Sequence, residues 1–412
     1  MWKELEVGAW VASRQQGMED VRGQVQEIIG RVRAEGDAAL RALSRHVKLT
    51  EIAVSDEERE AAYAWVDPAV TESLVEAEAR ITRFHELQRP RDLWLQEVEE
   101  GVVLGMKTTP LDRVGIYVPG GRAAYPSSAL MCAVPARVAG VREICACSPP
   151  PISPMTLVAL DIAGVTEIYR SGGAQAVAAM AIGTETVPRV QKIVGPGNVF
   201  VTMAKVLLRE EAEIDFPAGP SEIAIIADGT ADPRILAWDI LAQAEHDPRA
   251  ACVLITTDRA LAEKVGRQVA NLAGKEPRRE ILAESLANCG YVLVKDLEGA
   301  VAASDEIAPE HLSIQVADPL PILSRVRHAG AIFVGRYSAV ACGDYAAGTN
   351  HVLPTAGYAR LYSGLDVRAF CKTSSVEILD ARGLEALGDV VETIARAEGL
   401  SAHAASVRAR RE

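Results

Sequence analysis

The spacing of apolar residues divides the chain into two kinds of region. From about residue 18 to residue 90, apolar residues recur every three or four positions, which is the spacing of an amphipathic helix. The first such run contains Val21, Val25, Ile28, Ile29 and Val32. A second run covers residues 67–87. We therefore expect a helical N-terminal part over residues 1–113, packed on the second of two lobes, with His46 and His85 on its surface.

From Val114 onward, short apolar runs alternate with helical segments. The first series predicts strand 114–118, helix 127–139, strand 143–147, helix 155–163, strand 167–170, helix 174–182, strand 192–194 and helix 198–208. A strand, a helix and a parallel strand are joined by a right-handed crossover, so this series predicts a sheet with helices on both faces. We expect it to form a first α/β lobe over residues 114–220.

A second series of the same kind follows over residues 221–365. It predicts strand 222–227, helix 233–248, strand 251–256, helix 259–272, strand 291–294, helix 297–303, strand 312–316 and strand 331–334. The expected fold class is therefore α/β, with two Rossmann-like but incomplete lobes. Ligands of such sheets bind at the carboxyl ends of the strands and in the crevice between lobes.

The alternation stops near residue 341, where glycine and proline become frequent. Residues 366–412 then form a small C-terminal extension with a helix over 384–397 and a short tail. A terminal helix with so little core of its own needs a surface to dock on, either in its own chain or in a partner subunit.

Composition excludes several functions. The chain has 412 residues, 49% of them hydrophobic, a formal net charge of −13 and a pI near 5.2. This acidity argues against nucleic acid as a partner. The N-terminus carries acids where a signal peptide needs apolar residues, and no uncharged apolar run reaches about 20 residues, so we expect a cytoplasmic protein with no membrane contact. The seven scattered cysteines are expected to be reduced core residues.

The helix predicted before Pro248 ends in a polar turn. Asp232 and Pro233 are suited to begin this helix, and Pro248 ends it. Gln243 and His246 are three residues apart and share a face. At a helix C-terminus they could bind a cation, but the pair alone fits a solvated helix end equally well or better.

Three glycine-containing turns each follow a strand and precede a helix. They are Pro119-Gly120-Gly121, Ser171-Gly172-Gly173 and Gly195-Pro196-Gly197-Asn198. Backbone amides at such turns attract the phosphates of a dinucleotide, although none is a complete fingerprint and tight turns need glycine anyway.

Two further segments carry acid and base groups. Glu310 and His311 are adjacent, just before an apolar strand, and neighbours on an extended chain point in opposite directions, so they could serve different proton transfers. Asp344 lies in a glycine-flanked loop and could be a metal ligand or a turn former. Glu398 and His403 look by themselves like surface residues.

Together these segments resemble the histidinol dehydrogenase family, from about residue 114 to the C-terminus. The residues that carry the resemblance are Tyr117-Val118-Pro119-Gly120-Gly121, Gly173-Ala174-Gln175, Gly195-Pro196-Gly197-Asn198, Ala218-Gly219-Pro220-Ser221-Glu222, Gln243-Ala244-Glu245-His246, Ala308-Pro309-Glu310-His311-Leu312, Gly343-Asp344-Tyr345, Thr349-Asn350-His351-Val352-Leu353-Pro354-Thr355, Glu398 and His403. The number and order of these segments make the resemblance specific.

The resemblance implies oxidation of L-histidinol through L-histidinal to L-histidine with NAD and one Zn²⁺ per subunit. Its implied metal ligands are Gln243, His246, Asp344 and His403. The implied substrate contacts are Ser221, His311 and Glu398 together with those four ligands. The implied NAD contacts are Tyr117, Gln175 and Asn198. The implied catalytic pair is Glu310 and His311. It also implies a homodimer in which the C-terminal extension is exchanged, so that Glu398 and His403 complete the partner's site.

The chemistry of these residue types agrees with that reaction. A neutral His311 can take the alcohol proton while hydride leaves, and Glu310 can activate water on the aldehyde. Zinc would act mainly as a template for the substrate. The alternatives are a related NAD-dependent dehydrogenase of another small polar alcohol and a zinc-dependent binding protein without chemistry. A hydrolase is disfavoured because no nucleophile elbow occurs.

Overall fold

The N-terminal part is mainly helical. The computed structural model describes residues 2–14, 19–44, 49–120 and 124–412. The elements of the N-terminal part are β1 (Lys3–Glu4), α1 (Val7–Arg14), α2 (Arg22–Glu35), α3 (Asp37–Leu43), α4 (Asp56–Ala62), α5 (Pro68–Glu86), β2 (Leu93–Glu99) and β3 (Val102–Pro110).

Two α/β lobes follow in the chain. The first contains β4 (Arg113–Tyr117), α6 (Pro126–Ala139), β5 (Glu143–Ser148), α7 (Pro154–Ile162), β6 (Glu167–Arg170), α8 (Ala174–Ile182), β7 (Lys192–Val194), α9 (Val199–Leu207) and β8 (Glu213–Ile214). The second contains β9 (Glu222–Ala227), α10 (Pro233–Ala244), β10 (Ala251–Thr256), α11 (Arg259–Ala273), α12 (Arg279–Ser285), β11 (Gly290–Leu293), α13 (Leu297–Ile307), β12 (His311–Gln315), α14 (Leu320–Leu323), β13 (Ala331–Val334) and α15 (Val340–Tyr345). The C-terminal elements are β14 (Cys371–Leu379), α16 (Ala381–Ala397) and α17 (Ser401–Arg411). Single 3₁₀ turns cover Glu19–Val21, Tyr63–Trp65, Leu286–Asn288, Tyr358–Arg360 and Val367–Phe370.

The two lobes share one strand order. The first sheet runs β6-β5-β4-β7-β8, and the second runs β11-β10-β9-β12-β13 with β1 added beside β11. All pairs in both sheets are parallel. Numbered within each lobe, both sheets have the order 3-2-1-4-5, which is that of a dinucleotide-binding fold without its sixth strand. The predicted α/β class with parallel sheets is thereby confirmed.

Each sheet is covered by apolar clusters on both faces. In the first lobe, Ile116 belongs to one cluster and Cys145 to another, and in the second lobe Ile225 and Ala224 divide in the same way. Successive strand residues point to opposite faces, so this division follows from strand geometry. The near-continuous apolar strands read from the sequence are those of sheets buried on both sides.

The N-terminal helices pack differently from the expectation. Helices α2 and α3 cover α8 and α9, and α4 and α5 cover α6 and α7, so residues 22–86 lie on the first lobe and not on the second. The reason is that α8 consists mostly of alanine with no polar face, and it needs a further helical layer to bury it. Residues 2–14 instead join the second lobe, through pairing of β1 with β11, the hydrogen bond from Trp2 to Ala262 and burial of Trp10.

His85 and His46 are the two histidines that were expected on the surface of this part. His85 is fully buried rather than solvent-facing. Its Nδ1–H donates to the carbonyl of Ile81 at 2.8 Å, which leaves Nε2 to accept from the amide of Asn350 at 3.3 Å. Burial lowers the pKa of His85. His46 and Gly121 lie outside the described residues.

The segment before the first lobe contains a β-hairpin and is not wholly helical. Strands β2 and β3 pair with β14 in an antiparallel sheet of order β14-β3-β2. The β14 pairing runs without interruption from Cys371↔Pro110 to Leu379↔Val102. The C-terminal extension therefore begins with a strand, and α16 and α17 pack on each other beside this sheet.

The cysteines are all free thiols, but not all are buried. Cys132, Cys145, Cys147, Cys252 and Cys289 are core residues, whereas Cys342 is exposed and Cys371 is half-buried. The expectation of buried cysteines is wrong for Cys342 because it lies on the outer side of the short helix α15. Within the described ranges, no helix has both the length and the apolar character needed to cross a membrane.

Candidate active site

The candidate residues of the second lobe lie at the amino ends of its strands. Ser221 immediately precedes β9, Glu310 and His311 stand at the start of β12, and Gln243 and His246 lie at the end of α10, just before β10. These candidates therefore do not lie at the carboxyl ends of the strands, where ligands of such sheets were expected.

Connectivity explains this reversal. The chain leaves the carboxyl end of β8 at Ile214 and enters the amino end of β9 at Glu222, with only residues 215–221 between them. Such a short connection brings the carboxyl edge of the first sheet next to the amino edge of the second. Both edges can therefore contribute to one crevice between the lobes.

Contacts between the lobes hold this crevice together. Ser128, in the first turn of α6, has its Oγ 3.3 Å from Nε2 of His351. Asn350 donates to the carbonyl of Met131 at 2.7 Å. The loop after the second sheet thus packs directly on the first lobe.

The backbone of Glu222 fixes both members of the catalytic pair. Its N–H donates to Oε2 of Glu310 at 2.8 Å, and its carbonyl oxygen lies 3.2 Å from Nδ1 of His311. Glu310 and His311 are 6% and 5% exposed. One peptide segment at the start of β9 therefore orients an acid and an imidazole at the start of β12.

The two side chains lie on the same side of the chain, contrary to the expectation. Nδ1 of His311 is 3.6 Å from Oε2 of Glu310. The reason is that only His311 belongs to the strand, while Glu310 sits in a bend that follows Ala308, whose φ is 49°. The rule of alternating directions applies to extended chain and not to this bend.

The hydrogen bond to Glu222 sets the tautomer of His311. A carbonyl oxygen only accepts, so Nδ1 carries the proton and Nε2 presents a lone pair. That Nε2 atom is buried without a hydrogen-bond partner among the described residues, 3.9 Å from Oδ1 of Asp344. Burial lowers the pKa of His311 to about 3, so the ring is neutral and its Nε2 lone pair is free.

Burial also shifts the neighbouring carboxyl groups. It raises the pKa of Glu310 well above its usual range, against the hydrogen bond from Glu222, and the charges of Glu222 and Asp344 add to the rise. Burial raises the pKa of Asp344 to about 7. Asp344 lies in the last turn of α15 and not in a loop as expected. Clustered acids of this kind favour a cation or a proton in the site.

His351 is a site residue to which the sequence alone assigned no role. Its Nδ1–H donates to the carbonyl of Asp344 at 2.9 Å, so it supports the backbone that carries that carboxylate. Burial lowers the pKa of His351 to about 4. The sequence signal for His351 is its place in segment 349–355, which carries the family resemblance. Its spacing from Asp344 along the chain does not by itself indicate a contact.

Three of the four expected metal ligands belong to this region. A charge on His246 would lower the pKa of both His311 and His351. Gln243 is buried one turn before His246 on α10. In the described part of the chain, no three His, Cys, Asp or Glu side chains converge into a ready metal site.

The donor types nevertheless fit Zn²⁺. An amide oxygen, an imidazole and a carboxylate form a set of intermediate hardness. Among the described residues, no lysine or arginine forms an ion pair with the half-buried carboxylate of Asp344. A divalent cation there would stabilise the ionised form that burial disfavours.

The structure does not bring Glu398 and His403 to the site of their own chain. Both are exposed, Glu398 at the end of α16 and His403 in α17. The main contacts of these helices are with each other and with β14.

The expected NAD contacts lie at the carboxyl edge of the first sheet. Gln175 and Asn198 line a cavity of about 540 Å³ between this edge and helices α2 and α3. The hydroxyl of the buried Tyr117 accepts from the N–H of Gly173 at 3.0 Å. Asn198 caps α9 by accepting from Phe200 and Val201. Tyr117 therefore supports the turn at the cavity, while the other two residues face it.

Glycine is required in the turn before Asn198. Gly195 has φ of +118°, and a Cβ there would lie 2.2 Å from the carbonyl oxygen of Tyr117. The turn can follow β7 so closely only without a side chain at this position.

Comparison with known proteins identifies the family of this chain. The family model described as histidinol dehydrogenase matches residues 11–411. Histidinol dehydrogenase of Methanosarcina barkeri is 49% identical over 405 residues, which are 97% of this chain and 94% of the relative. That of Moorella thermoacetica is 48% identical over 404 residues, 96% of this chain and 95% of the relative. The crystal structure of histidinol dehydrogenase from Elizabethkingia anophelis superposes with a TM-score of 0.95 at 36% identity, covering 99% of this chain and 96% of that one. The chain belongs to the histidinol dehydrogenase family.

Proposed function

We propose that this protein oxidises L-histidinol to L-histidine through L-histidinal, the last two steps of histidine biosynthesis. The observation that carries the proposal is the buried, unpartnered Nε2 of His311, held in one tautomer beside Glu310 and Asp344. Family membership supplies the substrate, and this arrangement supplies the proton transfers that its oxidation needs.

The crevice divides into two sides. Residues 114–220 form the NAD side, with Tyr117, Gln175 and Asn198 as cofactor contacts. Residues 221–365 form the zinc and substrate side. Support for this division comes from the cavity beyond the first sheet and from the cluster of titratable groups at the second. NAD⁺, when bound, accepts the hydride in each oxidation.

Gln243, His246 and Asp344 would hold Zn²⁺ together with His403 of a second subunit. The metal, when bound, orients the imidazole and amine of the substrate and completes the charge balance of the buried carboxylates. Ser221 and Glu398 are the further substrate contacts. The position of Ser221 next to Glu222 supports this assignment, because Glu222 orients the catalytic pair.

His311 is the base of both oxidations. Its Nε2 lone pair takes the proton of the substrate hydroxyl as hydride leaves the same carbon, and the Glu222 carbonyl stabilises the imidazolium that forms. The alcohol becomes an aldehyde with loss of one proton and one hydride. The hydrated aldehyde then reacts in the same way to give the carboxylic acid.

Glu310 supplies the base for hydration of the aldehyde. Its raised pKa makes its carboxylate a stronger base than that of an exposed glutamate, and the N–H of Glu222 holds its Oε2. A water that loses its proton to Glu310 adds to the aldehyde carbon.

The C-terminal extension completes the site of a second subunit in a homodimer. Its helices and the adjoining sheet expose large apolar side chains that the described part of the chain leaves open to solvent. These are Leu93, Trp94, Leu95, Val98, Leu104, Met106, Ile378, Val390, Val391, Ile394 and Leu400. So large an apolar surface favours burial against another protein surface. A second copy is the partner that can also bring Glu398 and His403 to the crevice.

Product stoichiometry tests the proposed function. Purified, zinc-loaded protein should form about two NADH per histidinol consumed, with histidine as the product. A yield of one NADH with an aldehyde product would contradict the four-electron reaction. No turnover of histidinol, with turnover of another small polar alcohol, would favour the alternative dehydrogenase.

A further inference from the structure

Arg14, the last residue of α1, enters the second lobe and makes three hydrogen bonds there. Its Nε donates to Oε2 of Glu222 at 3.2 Å, its Nη1 to the carbonyl of Arg249 at 3.0 Å, and its Nη2 to the carbonyl of Pro220 at 3.3 Å. The side chain is 8% exposed and that of Glu222 is 2% exposed. All three guanidinium nitrogens are thus used.

The three acceptors belong to two segments of the site. Pro220 and Glu222 flank Ser221, and the backbone of Glu222 holds both Glu310 and His311. Arg249 follows the turn that begins at His246. One guanidinium therefore joins the segment that orients the catalytic pair to the segment that carries an expected metal ligand.

Neighbouring contacts fix the guanidinium and its acceptor. The ring of Trp10 lies 5.3 Å below Cζ of Arg14, and Nε1 of Trp10 donates to the carbonyl of Asn288 at 3.1 Å. The other carboxylate oxygen of Glu222 accepts from the N–H of Ala356 at 2.9 Å. Neither partner can turn away without losing a second contact, so the position of the ion pair is defined from both sides.

A lysine could not replace this arrangement. The planar guanidinium directs donors to separate acceptors in a fixed geometry, whereas an ammonium is a single compact charge. Simple attachment of the N-terminus also does not require these contacts, since β1 pairs with β11 and Trp2 donates to the carbonyl of Ala262 at 2.9 Å. The acceptors of Arg14 are instead two backbone carbonyls and one carboxylate next to the site.

We propose that Arg14 is a positioning residue for the oxidation, and that it acts through the Arg14–Glu222 ion pair on the segments that carry Ser221, Glu310, His311 and His246. The inference rests on the proposed function. It assigns to the N-terminal helix α1 a part in the geometry of the crevice, although α1 itself supplies no group to the reaction.

The test compares Arg14→Met, Arg14→Lys and Glu222→Gln with a matched control, Arg113→Met. Arg113 is also a partly buried arginine, and it bridges Glu143 and Glu167 at the other edge of the first lobe. For each variant, kcat is measured per folded, zinc-loaded subunit well below the melting temperature, together with KM for NAD⁺.

Loss of positioning should lower kcat for histidinol by about tenfold to a hundredfold in Arg14→Met and Glu222→Gln. KM for NAD⁺ should stay within about twofold, since Arg14 does not line the cofactor cavity. Arg14→Lys should recover part of the loss. The double variant that combines Arg14→Met with Glu222→Gln should have a kcat no lower than that of the more severely impaired single variant. Arg113→Met should keep the wild-type kcat even if its melting temperature falls.

Hydrogen exchange gives a readout that does not depend on turnover. Amides of residues 219–224 and 247–251 should exchange about tenfold faster in Arg14→Met and Glu222→Gln than in wild type, and not in Arg113→Met. Wild-type kcat and exchange in folded Arg14→Met would overturn the inference. If that variant does not fold, wild-type values in Arg14→Lys and Glu222→Gln would overturn it equally. Failure of the wild type to oxidise histidinol would instead refute the proposed function, and the exchange result would still decide whether Arg14 orders these segments.

Discussion

The carbonyl oxygen of Glu222 lies 3.2 Å from Nδ1 of His311, and the N–H of the same residue donates to Glu310. A single residue at the start of one strand therefore fixes the protonation pattern of the imidazole and the direction of the neighbouring carboxylate. This places the two proposed proton-transfer groups at the amino edge of a parallel sheet, where they are buried and held by backbone.

The first prediction concerns His311. Replacement by asparagine removes the lone pair at Nε2, so both oxidations should slow by about a hundredfold to ten thousandfold. Stopped-flow measurement of NADH formation from histidinol and from histidinal gives the two rates. Zinc content and histidinol affinity should stay near wild type. If the variant keeps the wild-type rate in one of the oxidations, another group is the base of that step.

A second prediction separates the roles of the pair. In Glu310→Gln the amide oxygen can still accept from the N–H of Glu222, so the local geometry is kept while the base is lost. Oxidation of histidinol should be nearly unchanged, and oxidation of histidinal should fall by about a hundredfold or more. Trapping of released aldehyde and the ratio of NADH to histidinol measure this. Equal loss in both half-reactions would contradict the assignment.

Much of the architecture could be read from the sequence because its strands are buried on both faces. Short apolar runs that alternate with segments of helical spacing predict the strand Glu167–Arg170 and the helix Ala174–Ile182, and the structure has both elements with the same bounds. The hairpin Leu93–Pro110 was missed, since its exposed strand β2 carries large apolar residues on both faces and shows no clean alternation. Its pairing with β14 is nonlocal and leaves no spacing to detect.

The site was accessible from the sequence only in part. Adjacent Glu310 and His311 indicated acid–base chemistry, but their common orientation depends on a bend after Ala308 that propensity does not predict. The reversal of the expected sheet edge depends on the short connection 215–221 between lobes. The contacts of Glu222 with Glu310 and His311 leave no signal in the sequence, because they are made by its backbone N–H and carbonyl, which any residue type offers.

The third prediction concerns zinc affinity and pH. Burial raises the pKa of Asp344 to about 7 in the metal-free chain, and zinc binds only its ionised form. Below pH 7 the proton must therefore be displaced, and apparent affinity should fall by about tenfold for each pH unit. Above pH 7 this dependence should level off. Competition with a chromophoric chelator between pH 5.5 and 8 measures it, with Asp344→Asn as the variant that should bind weakly and lose this dependence.

The fourth prediction concerns a buried ion pair under the NAD side. Nζ of Lys205 lies 2.5 Å from Oδ1 of Asp215 and donates to the carbonyl of Gly195 at 2.9 Å, while Oδ2 of Asp215 accepts from the N–H of Gly195 at 2.9 Å. Lys205→Met leaves a buried carboxylate without its partner and should cost about 3–5 kcal/mol in the free energy of unfolding. Urea denaturation measures this loss.

The double variant is the control for that pair. Lys205→Met combined with Asp215→Asn removes both charges, so it should be less destabilised than the sum of the two single variants. Both single variants should also raise KM for NAD⁺, since the turn at Gly195 leads to Asn198. Additive losses with an unchanged KM would mean that the pair does not hold the cofactor turn.

The last prediction tests whether the site is shared between subunits. His403→Ala should lose zinc and activity, and His311→Asn should lose activity. In a mixed dimer, the His403→Ala chain would supply an intact His311 and the His311→Asn chain an intact His403, which restores one of its two sites. Random exchange of subunits should therefore return about a quarter of the wild-type activity. Activity is measured after dissociation and reassociation of the mixture, with each variant treated alone as the control. An inactive mixture in which mass measurement demonstrates mixed dimers would refute donation across the interface, and so would full zinc occupancy in His403→Ala.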